Sequence, residues 1–308
     1  MTGNLANRMP RLLVALSIAL TVLATPAAAD PQRDAVGAIR AVFYHELGHA
    51  LVDLLDLDIV GAEETVVDEF STMLLILRGR QAGGRFDPLL AAARFWYLAA
   101  DPQDETARYW TTHDFSRRRG FNIVCLLHGS DPDRFFRVMA ELGVAEDRRR
   151  RCEVEYREKA ENWINILSPH TANNAPAGRR GRLMPSYEAP ARADLAAVAG
   201  LWQREGLLEA LAAESNLLFP LPVDVPVRGR ECGEANAYWT AGEIIMCYEL
   251  HAMMVELFLG IGTPSATGGT AEQAPALQAP ARSVPSTPVV PEAGGGAVNI
   301  GSMLGSGG

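Results

Sequence analysis

His45-Glu46-Leu47-Gly48-His49 stands inside an apolar run, with Ala41-Val42-Phe43-Tyr44 before it and Ala50-Leu51-Val52 after it. The stretch reads H-E-x-x-H. Two histidines four residues apart lie on one face of a helix, one turn from each other. Both imidazoles can then reach a single zinc ion at about 2.0–2.1 Å. Glu46 follows the first histidine, where it can take a proton from a water on the metal. Burying two histidines and a glutamate in an otherwise apolar helix without such a purpose would be costly.

A third ligand has to come from elsewhere. The longer pattern with a glycine and a third histidine is absent, because Val52 and Leu55 stand at those places. A break at Leu57-Asp58-Ile59-Val60-Gly61 precedes a second helical pattern, with Val67, Phe70, Met73, Leu74 and Leu77 as its apolar stripe. Glu64 and Asp68 share one face of it. An antiparallel return would bring Glu64 to the histidines. Two His and one Glu, with water in the fourth position, is a catalytic zinc set. Asp68 would then accept the free ring N–H of a ligating histidine. Glu63 and Asp68 are the other candidates for the third ligand, and Glu63 points away from the shared face. The E-x-x-x-D spacing resembles that of the Glu-liganded zinc peptidases, the gluzincins. The alternative is an ordinary amphipathic hairpin with a solvated acidic start.

The chain has 308 residues, 48% of them hydrophobic, and a formal net charge of −9. Residues 1–29 read as a secretory signal peptide: Arg8 and Arg11, an apolar run over 12–23, and Ala27-Ala28-Ala29 as the cleavage site. An uncleaved anchor is the alternative, but the run is short for a span. Removing the leader takes two positive charges from −9 and leaves −11. So acidic a protein is a poor nucleic-acid binder. No other segment is long and apolar enough to cross a bilayer.

Cys125, Cys152, Cys232 and Cys247 all lie in the exported part, and an even number there predicts two disulfides. Three pairings exist. Cys125–Cys152 with Cys232–Cys247 is preferred because each pair brackets one compact unit; four buried free thiols are the alternative. No pair has the close spacing of a cysteine zinc site.

Periodicity predicts helices over about 35–55, 63–77, 88–100, 116–127, 131–142 and 146–167. Residues 168–190, rich in Pro, Gly, Asn and Arg, read as a loop or linker. An alanine-rich helix over 191–216 follows, then an extended piece over 220–226. Residues 235–248 read as two strands around a turn, and 249–259 as a closing helix. Residues 260–308 are Gly, Pro, Ala, Ser and Thr with almost no aromatic or charged residues, a tail too poor in apolar surface to fold. The expected fold is α+β and mainly helical, one zincin-like domain over 30–259, with a small antiparallel sheet or hairpin from its C-terminal part.

Several pieces together carry a family resemblance. They are Phe43-Tyr44-His45-Glu46-Leu47-Gly48-His49-Ala50-Leu51, residues 61–70, His113, Asn122-Ile123-Val124-Cys125, and Gly129-Ser130-Asp131-Pro132. Cys152 with Tyr156, Cys232-Gly233 and Cys247-Tyr248-Glu249-Leu250 complete them. Over roughly 35–259 the chain resembles an uncharacterised family of bacterial zinc metallopeptidases. The resemblance implies a peptidase-like zinc site and no particular substrate. Thr65, Val66 and Val67 are bulkier than the small residues usual after the acidic motif, which bears on helix packing.

Asn236-Ala237-Tyr238 carries a second resemblance, to the Asn-Ala-aromatic edge strand with which neprilysin-like zinc peptidases bind the substrate backbone. An exposed edge offers unpaired N–H and C=O groups to an extended peptide. In those enzymes the strand precedes the zinc helix; here it follows long after. Residues 217–248 are therefore expected to fold back in a permuted order. The alternative is a structural hairpin pinned by Cys232–Cys247. His113 is the candidate transition-state donor, able to stabilise an oxyanion beside the metal, or else a helix cap next to Asp114. Trp96 and Trp239 read as core or groove-lining.

The predicted function is zinc-dependent hydrolysis of peptide or protein substrates in the periplasm or outside the cell. One Zn2+ would sit on His45, His49 and Glu64, with Glu46 as the base. The rivals are a zincin-like binding or envelope-structural protein without activity, and a zinc hydrolase of non-peptide amides. Glu46 argues against a purely structural site, which needs no base. Oligomeric state is left open.

Overall fold

A computed structural model describes residues 30–100 and 116–260. The leader 1–29, the tail beyond Gly260 and His113 lie outside them. The described chain runs α1 (Pro31–Leu55), α2 (Glu63–Gln81), α3 (Asp87–Leu98), α4 (Ser116–Ser130), α5 (Pro132–Glu141) and α6 (Glu146–Leu167). It continues through β1 (Leu183–Tyr187), α7 (Ala193–Glu205), α8 (Leu207–Leu218), β2 (Val225–Arg230), β3 (Ala237–Thr240), β4 (Glu243–Cys247) and α9 (Tyr248–Leu259). Among these residues no helix is long and apolar enough to cross a membrane.

α1 is the central element. Ala38, Ile39, Phe43, Leu51 and Val52 are all buried, although they look in different directions around the helix. A helix apolar on every side must be surrounded, and α1 packs against α2, α3, α9 and β3. Asp56 at φ 53° and Gly61 at φ 114° turn the chain out of α1 into α2. α2 then runs back along α1, and Ser71 Oγ donates to the Ala41 carbonyl at 2.7 Å. Gly48 marks the crossing: a Cβ there would stand 2.9 Å from Val67 Cβ and 3.0 Å from Phe70 Cδ1. The bulky Val67 after the acidic motif is accommodated because α1 presents only hydrogen at that point.

The strands form one sheet in the order β1-β2-β4-β3. β3 and β4 make the expected antiparallel hairpin, with Trp239 opposite Ile244 and Tyr238 opposite Ile245. β1–β2 and β2–β4 are parallel, so the sheet is mixed where an antiparallel one was expected. The reason is β1. It lies in the stretch read as loop, and Leu183-Met184-Pro185-Ser186-Tyr187 lacks a run of strand-forming residues. Pro185 is tolerated because β1 is an edge. The α7–α8 pair then carries the chain across to a parallel β2, as parallel pairing requires a crossover. The alanine-rich helix is broken at Gly206, which sits at φ 58°.

Cys125–Cys152 ties α4 to α6, and Cys232–Cys247 ties the loop before β3 to the end of β4. Both preferred pairings are present.

Candidate metal centre

His45 and His49 project from adjacent turns of α1, and Glu64 from the first turn of α2. His45 Nε2 lies 3.3 Å from His49 Nε2. Glu64 Oε2 lies 3.2 Å from the former and 3.5 Å from the latter. These three residues form a group able to hold a metal ion. Ligands at about 2.0–2.1 Å from a tetrahedral ion stand about 3.3 Å apart, which is the size of this triangle.

The remaining ring nitrogens explain the chemistry of the donors. His45 Nδ1 donates to Asp68 Oδ1 at 2.7 Å, and His49 Nδ1 donates to Glu63 Oε1 at 2.8 Å. An ionised carboxylate only accepts, so each Nδ1 carries the hydrogen, and a ring that gives up its second proton turns a lone pair inward. Two lone pairs and a carboxylate oxygen then converge on one point, an arrangement that calls for positive charge. Burial alone would lower His45, but Asp68 and Glu64 outweigh it and hold its pKa at about 9. His49 also ends raised: burial lowers it, and Glu64 and Glu63 prevail over burial and the neighbouring ring. Protons or a metal ion can satisfy such a site, and the two compete. The donor set fits a tetrahedral cation.

Behind Asp68 stands Arg119 of α4. Its Nε and Nη2 donate to the two Asp68 oxygens, each at 2.7 Å, the paired geometry that suits guanidinium and carboxylate. The guanidinium lies over the Trp96 ring, 3.6 Å from its centroid. Burial works against the Asp68 charge, but His45 and Arg119 prevail and bring its pKa down to about 2. A buried ionic chain thus runs from Arg119 through Asp68 to His45.

Glu46 is buried beside the triangle. Burial pushes its carboxyl up, and the two histidine rings and the Trp239 backbone N–H pull against that rise. The Trp239 contact places β3 over the motif. Cys247 N–H donates to the Asn236 carbonyl at 3.2 Å, so residues 236, 238 and 240 turn their backbone groups towards β4. Ala237 and Trp239 turn theirs to the outer edge. There the Trp239 N–H meets Glu46, and the Ala237 N–H donates to its neighbour Asn236 Oδ1 at 2.9 Å. Tyr238 donates its hydroxyl to Glu234. The donors, Glu46 and residues 235–242 line one cleft of about 1160 Å³, which continues over apolar residues of α3 and α4.

Thus His45, Glu46, His49, Glu64, Asp68, Asn236, Ala237 and Tyr238 come together in one cleft, and the four cysteines lie in two bridges away from the donors. Arg119 and the role of Glu63 escaped the sequence reading. Arg119 closes the run Arg117-Arg118-Arg119, which looks like a solvated face. Its signal was its place one turn before Ile123 on the apolar stripe of α4. Glu63, an alternative third ligand by sequence, points away from the face that Glu64 and Asp68 share, and in doing so reaches the other nitrogen of His49.

A family model described as "Putative metallopeptidase" matches residues 15–167 and 187–277, more than half of the chain. No curated protein and no solved structure matches it.

Proposed function

The chain belongs to the family described as "Putative metallopeptidase", and from that premise we propose that it is an exported zinc-dependent peptidase. The observation that carries this reading is the donor triangle of His45, His49 and Glu64 with buried Glu46 beside it, under an edge strand. Zinc bound there would supply a Lewis acid for the scissile carbonyl and lower the pKa of its water.

The protein's own residues divide the remaining work. Glu46 accepts a proton as water adds to the carbonyl carbon and returns it to the amine as the C–N bond breaks. Its burial favours this, because a carboxylate kept from bulk water is a stronger base. Asp68 and Glu63 fix the tautomer and direction of the two histidines. β3 recognises the extended substrate from Asn236, Ala237 and Tyr238. On its outer edge both N–H groups are engaged by Glu46 and Asn236, so the Ala237 and Trp239 carbonyls serve as acceptors for substrate N–H groups. Two disulfides support folding in an oxidising compartment, in keeping with export.

The test compares zinc content and hydrolysis of an unstructured protein by the native chain and Glu46→Gln. Both should bind one zinc, and the variant should lose about 10²- to 10⁴-fold in rate. Zinc in both with cleavage in neither would favour a binding role. Zinc in neither would overturn the metal site.

A further inference from the structure

Trp239 meets α1 at two points. Its backbone N–H faces the Glu46 carboxylate in the same cleft, and its indole Nε1–H donates to Asp53 Oδ2 at 3.3 Å. Glu46 and Asp53 are seven residues apart, two turns along one helix, and so lie on the same face. The approach to Glu46 alone would let β3 pivot there. The second point, about 10 Å further along the axis, fixes both the spacing of strand from helix and its slide along it. Asp53 is exposed at the cleft, so packing does not require an acid there. The indole is the partner that makes its charge useful.

We propose that Asp53 is a positioning residue for Glu46. It acts through the Trp239 indole to hold β3, whose N–H aims the Glu46 carboxylate and whose outer carbonyls lie along the cleft. This rests on the peptidase reading above, and its test separates the two.

The test uses Asp53→Ala, Trp239→Phe, their double variant and Asp53→Asn in the zinc-loaded protein. Each of the first two removes one partner of the same bond and should lower kcat by about tenfold, with zinc content and Tm kept and KM changed less. The double variant should be no worse than either single one, because only one bond is lost. Asp53→Asn retains an acceptor oxygen and should recover most of the rate. The Trp239 amide, followed by hydrogen exchange, should exchange about tenfold faster in Asp53→Ala. Kinetic constants of Asp53→Ala like those of the native protein, losses that multiply in the double variant, or unchanged exchange would each overturn the proposal. If the native zinc-loaded protein cleaves nothing, the peptidase reading fails and the kinetic role with it. The exchange rate then decides by itself whether Asp53 holds the strand.

Discussion

A histidine ligand is only as well placed as the group on its other nitrogen. Here both rings have a carboxylate on Nδ1, but the two differ in standing. Asp68 is locked by two Arg119 bonds of 2.7 Å, whereas Glu63 is about half exposed. Asp68 therefore governs the rigidity of the triangle. Asp68→Asn keeps the shape but loses the charge that Arg119 and His45 share. Zinc affinity, measured by chelator competition, should fall about 10- to 100-fold. Glu63→Gln should cost less, because an exposed partner is more readily replaced by water. His45 and His49 were legible as a pair from spacing alone, since four residues make one helical turn. Arg119 was not, because nothing in a run of three arginines says which one turns inward.

At the level of elements, two contacts set the site. The first is the α1–α2 crossing at Gly48, where a Cβ would sit 2.9 Å from Val67 Cβ. Gly48→Ala gains up to about 1 kcal/mol of helix propensity, but overpacking against a β-branched neighbour costs about 1–3 kcal/mol. The crossing should win. The variant should unfold at lower denaturant and bind zinc more weakly, because α2 carries Glu64 and Asp68 away with it. The second is the β3–β4 turn. Ala241 at φ 50° and Gly242 at φ 81° occupy the two central positions of a primed hairpin turn, which favours Asn-Gly. An alanine in left-handed backbone is strained by about 1 kcal/mol. Ala241→Asn should raise Tm and leave zinc content unchanged. The hairpin was visible in 235–248, while the strands beside it were not, because β1 has an edge-strand sequence with a proline in its middle.

At the scale of the described residues together, the last helix closes on the first, since α9 packs against α1. Its fully buried His251 accepts from Trp202 Nε1 at 3.2 Å and donates Nε2–H to Gln32 Oε1 at 2.9 Å. Burial lowers its pKa to about 4. The unfolded chain takes up this proton below about pH 6.5 while the folded protein resists it. The neutral ring's contribution is therefore whole above pH 6.5 and is lost as pH falls towards 4, by up to about 3 kcal/mol. Denaturant midpoints across that window should fall less steeply in His251→Gln than in the native protein. The same long-range closure carries β3 back to the motif nearly two hundred residues upstream. Local chemistry settled much in advance: a spacing of four pairs the histidines, an acidic helix start offers Glu64, and the cysteine placement suits local bridges. Packing alone settled that Trp239 lies over Glu46, that Arg119 stands behind Asp68, and that β1 and β2 extend the hairpin in parallel. Helical spacing repeats every turn and is written in neighbouring residues. The meeting of distant segments depends on which surfaces the closed core leaves facing each other, and no local pattern encodes that.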